Sequence, residues 1–361
     1  MRLTKLQGML SLIVPSAFLF QTRYTDVRRI LRKFRILNIW NIGDKVFGSK
    51  VVAPCCIFVV QQHLSTKDSI VSVLDTSNTT DNSVREKIAQ SPTYRRILQS
   101  NYEKTAEEAF VTFYRKLGVK EIELKEVLEC KDCGIKYQRT GVGMEQKGKS
   151  DLASRLYYEG QCQSPADRKV LIGSNLNMKG WHMDYMHHRY FRSNYKNLLR
   201  QNEIVYFNEN IFDLPQKILW RQTSDKIRAT IIGPHWFANT LQAGILRDNK
   251  YNLRYILGLL NSKFLNFIYL ETVKEEGRVF PQVKLAKIRT LPFRTINFKD
   301  KSDKSLHDKM VSLVDDMLEL NKKLPSVKTP HERELLERQI KIIDNQIDRL
   351  VYELYALTEE E

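Results

Sequence analysis

The sequence predicts an α/β segment first, then a larger α+β region, then an antiparallel pair of helices. Three observations carry this reading. Short apolar runs flank one amphipathic helical stretch before residue 64, and brief β-rich runs broken by Gly, Pro and Asn fill residues 121–296. Two long stretches with apolar residues three and four apart then close the chain. A length of 361 residues with 42% hydrophobic content suits two or three domains with buried cores.

Met9–Val14 is a short apolar run that reads as a buried strand ended by Pro15. Val27, Ile30, Leu31 and Phe34 recur at helical spacing with Arg28, Arg29, Arg32 and Lys33 opposite, so a helix with a basic outer face is expected, capped by Thr25 or Asp26. Ile36–Ile42 and Val51–Val60 read as two strands around a loop containing Gly43-Asp44 and Gly48-Ser49. Residues 65–91 are rich in Ser, Thr, Asn and Asp apart from Ile70–Leu74, which suggests a linker or an edge strand. Pro92–Leu117 looks helical and polar. Strands are expected at Lys169–Ile172, Glu203–Phe207, Lys217–Trp220 and Ala229–Ile232, and a helix at Tyr251–Tyr269. Met310, Leu313, Met317, Leu320 and Leu324 mark one closing helix. Leu336, Ile340, Ile343, Ile347, Leu350 and Leu354 mark the other, after Pro325 and Pro330. The boundaries that follow are 1–64, 65–120, 121–298 and 299–361.

Charge narrows the function. Lys and Arg number 58 against 42 Asp and Glu, a formal net charge of +16, which favours a polyanionic partner: nucleic acid first, an anionic membrane second. The last 35 residues reverse the sign, with five basic and nine acidic side chains. A charged fraction of 28% and a mean hydropathy of −0.41 argue against an integral membrane protein. Arg2 and Lys5 followed by Met9–Phe20 imitate a signal peptide, but Pro15 interrupts the run and no small-residue cleavage site follows. Five cysteines, Cys55, Cys56, Cys130, Cys133 and Cys162, suit reduced thiols, and a cytoplasmic setting is expected.

Several motifs, taken in order, resemble one family. Gly8–Leu19 (GMLSLIVPSAFL) is similar to the late strand and turn of the γ-class, TaqI-like adenine-N6 DNA methyltransferases. Gly43–Val52 (GDKVFGSKVV), running into Cys55–Val59, resembles their next motif. Leu259–Lys263 (LLNSK) and Leu291-Pro292-Phe293 resemble landmarks of the C-terminal recognition domain of type IIG restriction–modification enzymes. Ile347–Glu360 resembles the ends of those enzymes and of type I specificity subunits. The resemblance implies a piece of a Rossmann-like methyltransferase sheet, then a DNA target-recognition domain, then the helix pair. It also places Phe47 where the family stacks an aromatic ring on the flipped target adenine; without the motif, a Phe packed under a hairpin is the better reading.

What the family needs next is not found. Its catalytic strand ends in Asn/Asp-Pro-Pro-Tyr/Phe, and none of the ten prolines here is adjacent to another. Gly141-Val142-Gly143 lies in a polar stretch with no strand before it, which does not suit a nucleotide loop. The expectation is therefore the latter half of a methyltransferase, with the S-adenosylmethionine half truncated or encoded separately. This chain alone would bind no cofactor and be inactive, Met9–Val14 would lack its neighbouring strand, and the first sixty-odd residues would need a partner chain. Duplex DNA would be the ligand.

Basic and aromatic residues near turns are the candidate DNA contacts: Lys136, Tyr137, Arg139, Lys179, Trp181, His187, His188, Arg189 and Arg221. Each alone is as well explained by a solvated surface. Cys130-Lys131-Asp132-Cys133 lacks a second ligand pair, His182, His187 and His188 lack an accompanying carboxylate pattern, and Glu-x-Lys triplets recur too freely to mark a nuclease, so no metal or catalytic residue is assigned. Two other readings stay open: a non-catalytic specificity subunit of a type I-like complex, and a basic binding protein or non-functional remnant. The Gly8–Val60 piece favours the methyltransferase half over the specificity subunit.

Overall fold

The computed structural model describes residues 5–43, 46–47, 54–77, 81–104, 108–110, 121–139, 151–176, 180–183, 189–273 and 282–357. The chain divides into two compact units, residues 1–116 with 270–279, and residues 117–269 with 280–361. It is a mixed α/β protein with several sheets. Among the described residues no helix is long and apolar enough to cross a membrane.

The first unit is built on one five-stranded sheet. Its elements are β1 (Met9–Pro15), α1 (Thr25–Leu31), β2 (Phe34–Gly43), β3 (Cys55–Leu64), β4 (Ile70–Asp75), α2 (Asn82–Gln90) and β5 (Arg95–Leu98). The spatial order is β1-β3-β2-β4-β5, antiparallel except where β2 runs parallel to β4. Leu12 lies opposite Phe58, and Ile39 opposite Phe58 from the other side, so one face collects the apolar side chains. Phe18, Leu19 and Phe110 cover that face, with Phe18 stacked on Phe58 at 5.2 Å between ring centroids. Within the described residues β1 is paired on one side only, and it leaves Met9, Leu12 and Ile13 exposed.

Two departures from the sequence reading stand out. Residues 65–120 were expected as a linker and helical connection, with a linker or an edge strand around Ile70–Leu74. They contribute β4 to the interior of the sheet and β5 to its edge, because Ile70, Val71, Ser72 and Val73 pair in register with Arg95–Leu98. The second departure is α1, which is only partly as expected: Leu31 is buried and Arg29 exposed, but Arg28 is buried with Leu31. Arg28 is 0% exposed, whereas Val27 and Ile30 are 46% and 55% exposed. The helix stops at Leu31, Phe34 opens β2, and Tyr24 rather than Thr25 or Asp26 holds the cap position.

Hydrogen bonding explains the burial of Arg28. The Arg28 guanidinium donates to the carbonyl of Phe18 at 2.8 Å, of Gln21 at 2.9 Å and of Glu108 at 3.2 Å, and to the Thr25 hydroxyl at 3.1 Å. These carbonyls belong to short 3-10 turns and loops; that of Gln21 also accepts the Tyr24 N–H at 3.0 Å. A five-donor fork offsets its own burial by closing them.

The second unit carries four small sheets and most of the helix. Its strands are β6 (Glu121–Glu123), β7 (Leu128–Lys131), β8 (Lys136–Arg139), β9 (Tyr157–Glu159), β10 (Arg168–Leu171), β11 (Arg189–Phe191), β12 (Glu203–Tyr206), β13 (Lys217–Arg221), β14 (Ala229–Ile232), β15 (Trp236–Phe237), β16 (Leu241–Leu246) and β17 (Pro292–Arg294). Its helices are α3 (Asp151–Leu156), α4 (Glu209–Phe212), α5 (Leu253–Asn261), α6 (Lys263–Val273), α7 (Leu285–Arg289), α8 (Lys301–Lys323) and α9 (Pro330–Leu354). The strand orders are β15-β10-β11-β9, β14-β13-β16-β7, β12-β8 and β17-β6.

The helix expected over Tyr251–Tyr269 is two helices. Ser262 adopts extended backbone (ψ 153°), and its hydroxyl donates to the Leu259 carbonyl at 2.7 Å. Asn261 then clamps β14, its side chain accepting from the Ala229 N–H and donating to the Ala229 carbonyl, both at 2.9 Å. Asp348 of α9 accepts the Lys263 N–H at 2.9 Å, closing the exposed start of α6. Arg294 donates to Asp303 near the start of α8 (2.7 Å) and to the Leu354 carbonyl at the end of α9 (3.0 Å), so the two helices run in opposite directions along each other. Met310, Val314 and Met317 of α8 and Ile340, Ile347 and Leu350 of α9 are buried, as the spacing implied.

Removing the Arg28 guanidinium leaves several carbonyls and a buried stem unsatisfied. Arg28→Ala is expected to lower the stability of the protein by on the order of 3 kcal/mol, read as a fall in the urea midpoint. A variant indistinguishable from wild type would show that α1 is not anchored by this contact.

Candidate functional site

The second unit contains a concave cleft of about 560 Å³. Its walls come from six places in the sequence: Tyr137 of β8, Tyr157 of β9, the turn Ile172–Ser174 after β10, Arg189 of β11, Arg221 at the end of β13 with Thr223 after it, and residues 238–240 between β15 and β16. The alternation of strand side chains puts Arg189 and Phe191 on one face, with Phe191 in the core and Arg189 at the cleft. Three of the sequence candidates, Tyr137, Arg189 and Arg221, are therefore brought together.

Backbone packing shapes the cleft. Gly134 sits so close to the next segment that a Cβ there would lie 2.3 Å from the Ala238 carbonyl oxygen. That approach lets the Ile135 N–H donate to the Phe237 carbonyl at 2.9 Å and brings β8 alongside residues 238–240. On the other wall, the Asn175 side-chain oxygen accepts the Ile172 N–H at 2.7 Å and the Thr240 hydroxyl accepts the Gly173 N–H at 2.9 Å.

The electrostatics are one-sided. The Arg189 guanidinium lies over the Tyr157 ring, 4.4 Å from its centroid, within reach of cation–π attraction. Arg221 donates to the Leu176 carbonyl, and its affinity for a proton is lowered by burial and then by the nearby Arg228. Asp225, which opposes this in part, is itself bound by Arg228. Among the described residues lining the cleft there is no carboxylate. Tyr157 is 5% exposed, its hydroxyl has no hydrogen-bond partner among the described residues, and burial raises its pKa. Two half-buried arginines, two tyrosine rings and several hydroxyls form a receptor for an anion that also carries an apolar or aromatic part.

The other candidates are placed differently. Lys136 is paired with Asp132 at 2.9 Å, and Arg139 lies 3.4 Å from Glu203, which Arg155 holds at 2.7 Å. Trp181 is 3% exposed and lies outside this cleft; the Thr230 hydroxyl donates to its carbonyl at 2.7 Å. Lys179, His187 and His188 lie outside the described residues. Phe47 is 60% exposed and belongs to the first unit.

A second cluster was not foreseen. On the opposite face of the same small sheet, Tyr158 and Tyr190 stack at 5.3 Å and 14°, and the Arg192 guanidinium lies 4.6 Å from the Tyr158 ring centroid. The signal was there: Arg189-Tyr190-Phe191-Arg192 alternates cation and ring at the two-residue period of a strand. Burial pushes the Cys130 thiol up to about 12 and the Cys133 thiol up to about 11, so both keep their protons at neutral pH.

Residues 168–293, which carry Arg189, Arg221, Thr240 and the Ile172–Ser174 turn, match the TaqI-like C-terminal specificity domain family. No curated protein matches the chain in sequence. Among solved structures, the fold is similar to that of the type IIL restriction–modification enzyme MmeI, solved in complex with DNA. The identity is 11% and the TM-score 0.52, over 97% of this chain and 47% of that one. The type IIG restriction endonuclease BpuSI also matches, at 13% identity over 98% of this chain and 48% of that one, with a TM-score of only 0.33. This chain thus spans about half the length of each of these enzymes.

Two outcomes test this geometry. Gly134→Ala must separate two backbones and is expected to cost about 1–3 kcal/mol, with a lower urea midpoint at unchanged slope. Lys217 donates to the Phe212 and Gly233 carbonyls, and burial brings it from 10.5 down to about 8. Between those values the unfolded chain holds the extra proton, so this group's contribution to stability rises from pH 8 to 10.5 and its full cost applies below pH 8. Denaturation of wild type and Lys217→Met over that range should show the wild type gaining up to about 3 kcal/mol relative to the variant; parallel curves would refute the assignment.

Proposed function

We propose that this chain is the DNA target-recognition part of an adenine-N6 DNA methyltransferase in a restriction–modification system. The observation that carries the reading is that the arginine-bearing, carboxylate-free walls of the cleft lie largely inside the segment matching the TaqI-like specificity domain. Duplex DNA supplies the polyanion that the +16 net charge favours. Arg189 and Arg221 would engage DNA through this cleft, with Arg192 and Lys169 reaching phosphates on the opposite face of the sheet.

The first unit would be a portion of the Rossmann-like catalytic sheet, with Phe47 stacking on the target adenine. S-adenosylmethionine and the Pro-Pro catalytic motif would belong to polypeptide outside these 361 residues, in the same chain or in trans. The one-sided pairing and exposed apolar side chains of β1 support docking of such a partner. DNA is met in the cytoplasm in this reading.

Duplex binding measured across a salt titration tests the proposal. Affinity should fall steeply with salt, and Arg189→Ala and Arg221→Ala should each reduce the slope of log K against log salt by about one. Salt-insensitive binding, or slopes unchanged in both variants, would sink the reading.

A further inference from the structure

We infer that the cleft receives a single nucleotide that has left the base stack, and not the edge of a stacked base pair. The inference rests on the DNA-binding reading above and assigns the ligand of that same site. Base edges in an intact duplex lie at the floor of a groove and are reached by protruding elements. A concave site of about 560 Å³ cannot be entered by a stacked pair. It is also far roomier than one phosphate requires. An unstacked nucleotide brings both parts that the walls ask for: a phosphate, and a flat ring.

The lining sorts accordingly. Arg221, with Thr223 beside it, forms the anion-binding end. The Arg189 guanidinium lies over the Tyr157 ring and is half-buried in the cleft wall, so it offers a cationic surface of the kind on which unpaired bases lie. Tyr137 provides a second ring nearby, 6.0 Å from Tyr157 between centroids. Among the described residues the Tyr157 hydroxyl is buried and has no hydrogen-bond partner, an arrangement that costs stability in the free protein. A base edge would satisfy it, because every base edge offers a donor or an acceptor.

The test uses the full chain and a set of hairpin duplexes. They are identical except that one strand carries no extra nucleotide or a single bulged dA, dC, dG or dT. A bulged nucleotide is already extruded, so its binding is not opposed by unstacking. Wild type should bind at least one bulged hairpin about tenfold more tightly than the paired one. Arg189→Ala should abolish that preference, and Tyr157→Phe should reduce it while leaving the melting temperature unchanged or raised.

The contrary outcomes separate cleanly. Equal affinity for paired and bulged hairpins would show that the cleft seats a backbone phosphate, which overturns this inference and leaves DNA recognition standing. A bulge preference that survives both substitutions would place the nucleotide elsewhere and also overturn it. No binding to any hairpin at low salt would remove the DNA-binding reading together with this one.

Discussion

The second unit depends on one close approach, that of the Gly134 peptide to Ala238 and Asn239. There is no room for a side chain at that contact, where a Cβ would lie 2.4 Å from the Ala238 carbonyl carbon and 2.7 Å from the Asn239 nitrogen. Because the two backbones touch, Ile135 bridges Ala238, and the Ala238 N–H donates to the Leu171 carbonyl at 2.8 Å. Strands β8, β10 and β15 therefore meet at a single residue. Every wall of the cleft except β9 and β11 is fixed from that point, and those two join through the register of Phe191 with Arg168 and Tyr157. A cleft held by backbone contacts keeps its shape whatever the nearby surface side chains do, which is what a recognition site requires.

Charge is distributed around this frame with the same economy. The acidic side chains near the cleft are engaged elsewhere: Glu203 by Arg155 and Arg139, Asp132 by Lys136, and Asp225 by Arg228. What faces the cavity is positive and hydroxylic. Burial strengthens this arrangement, because a guanidinium deprived of water gains more from an incoming anion than an exposed one does. Individual surface lysines contribute long-range attraction, whereas Arg189 and Arg221 supply contact.

Much of the fold was legible in the sequence, for reasons that also explain the failures. The strands β10, β12, β13 and β14 fell within a residue or two of expectation because each is a short β-branched or aromatic run bounded by turn residues. The closing helices α8 and α9 were legible because their apolar period persists for over twenty residues each. Helix α1 was read correctly at Leu31 and Arg29 but not at Val27, Arg28 and Ile30, because periodicity counts every arginine as outward, whereas Arg28 is drawn inward by carbonyls that only the folded chain assembles. The break at Ser262 was hidden for a similar reason: the apolar period continues across it, and the groups that stabilise the break come from Asp348, more than eighty residues away. The cleft was half legible. Tyr137, Arg189 and Arg221 were named by residue type, but Tyr157, Thr240 and the Ile172–Ser174 turn join them through pairings no local pattern encodes.

The two units differ in what they expose, and the contrast bears on how each can gain free energy. In the first, an arginine is sunk in the core while Met9, Leu12, Ile13, Val27 and Ile30 face outward. In the second, Trp181 and Trp220 are sunk while arginines line the cavity. Exposed aliphatic side chains on an open strand edge gain free energy chiefly by covering apolar area and completing a hydrogen-bond ladder, both of which another polypeptide can supply. Guanidinium groups beside tyrosine rings gain it by meeting phosphates and bases. The same chain thus presents an exposed apolar strand edge on one sheet and guanidinium groups beside tyrosine rings on another.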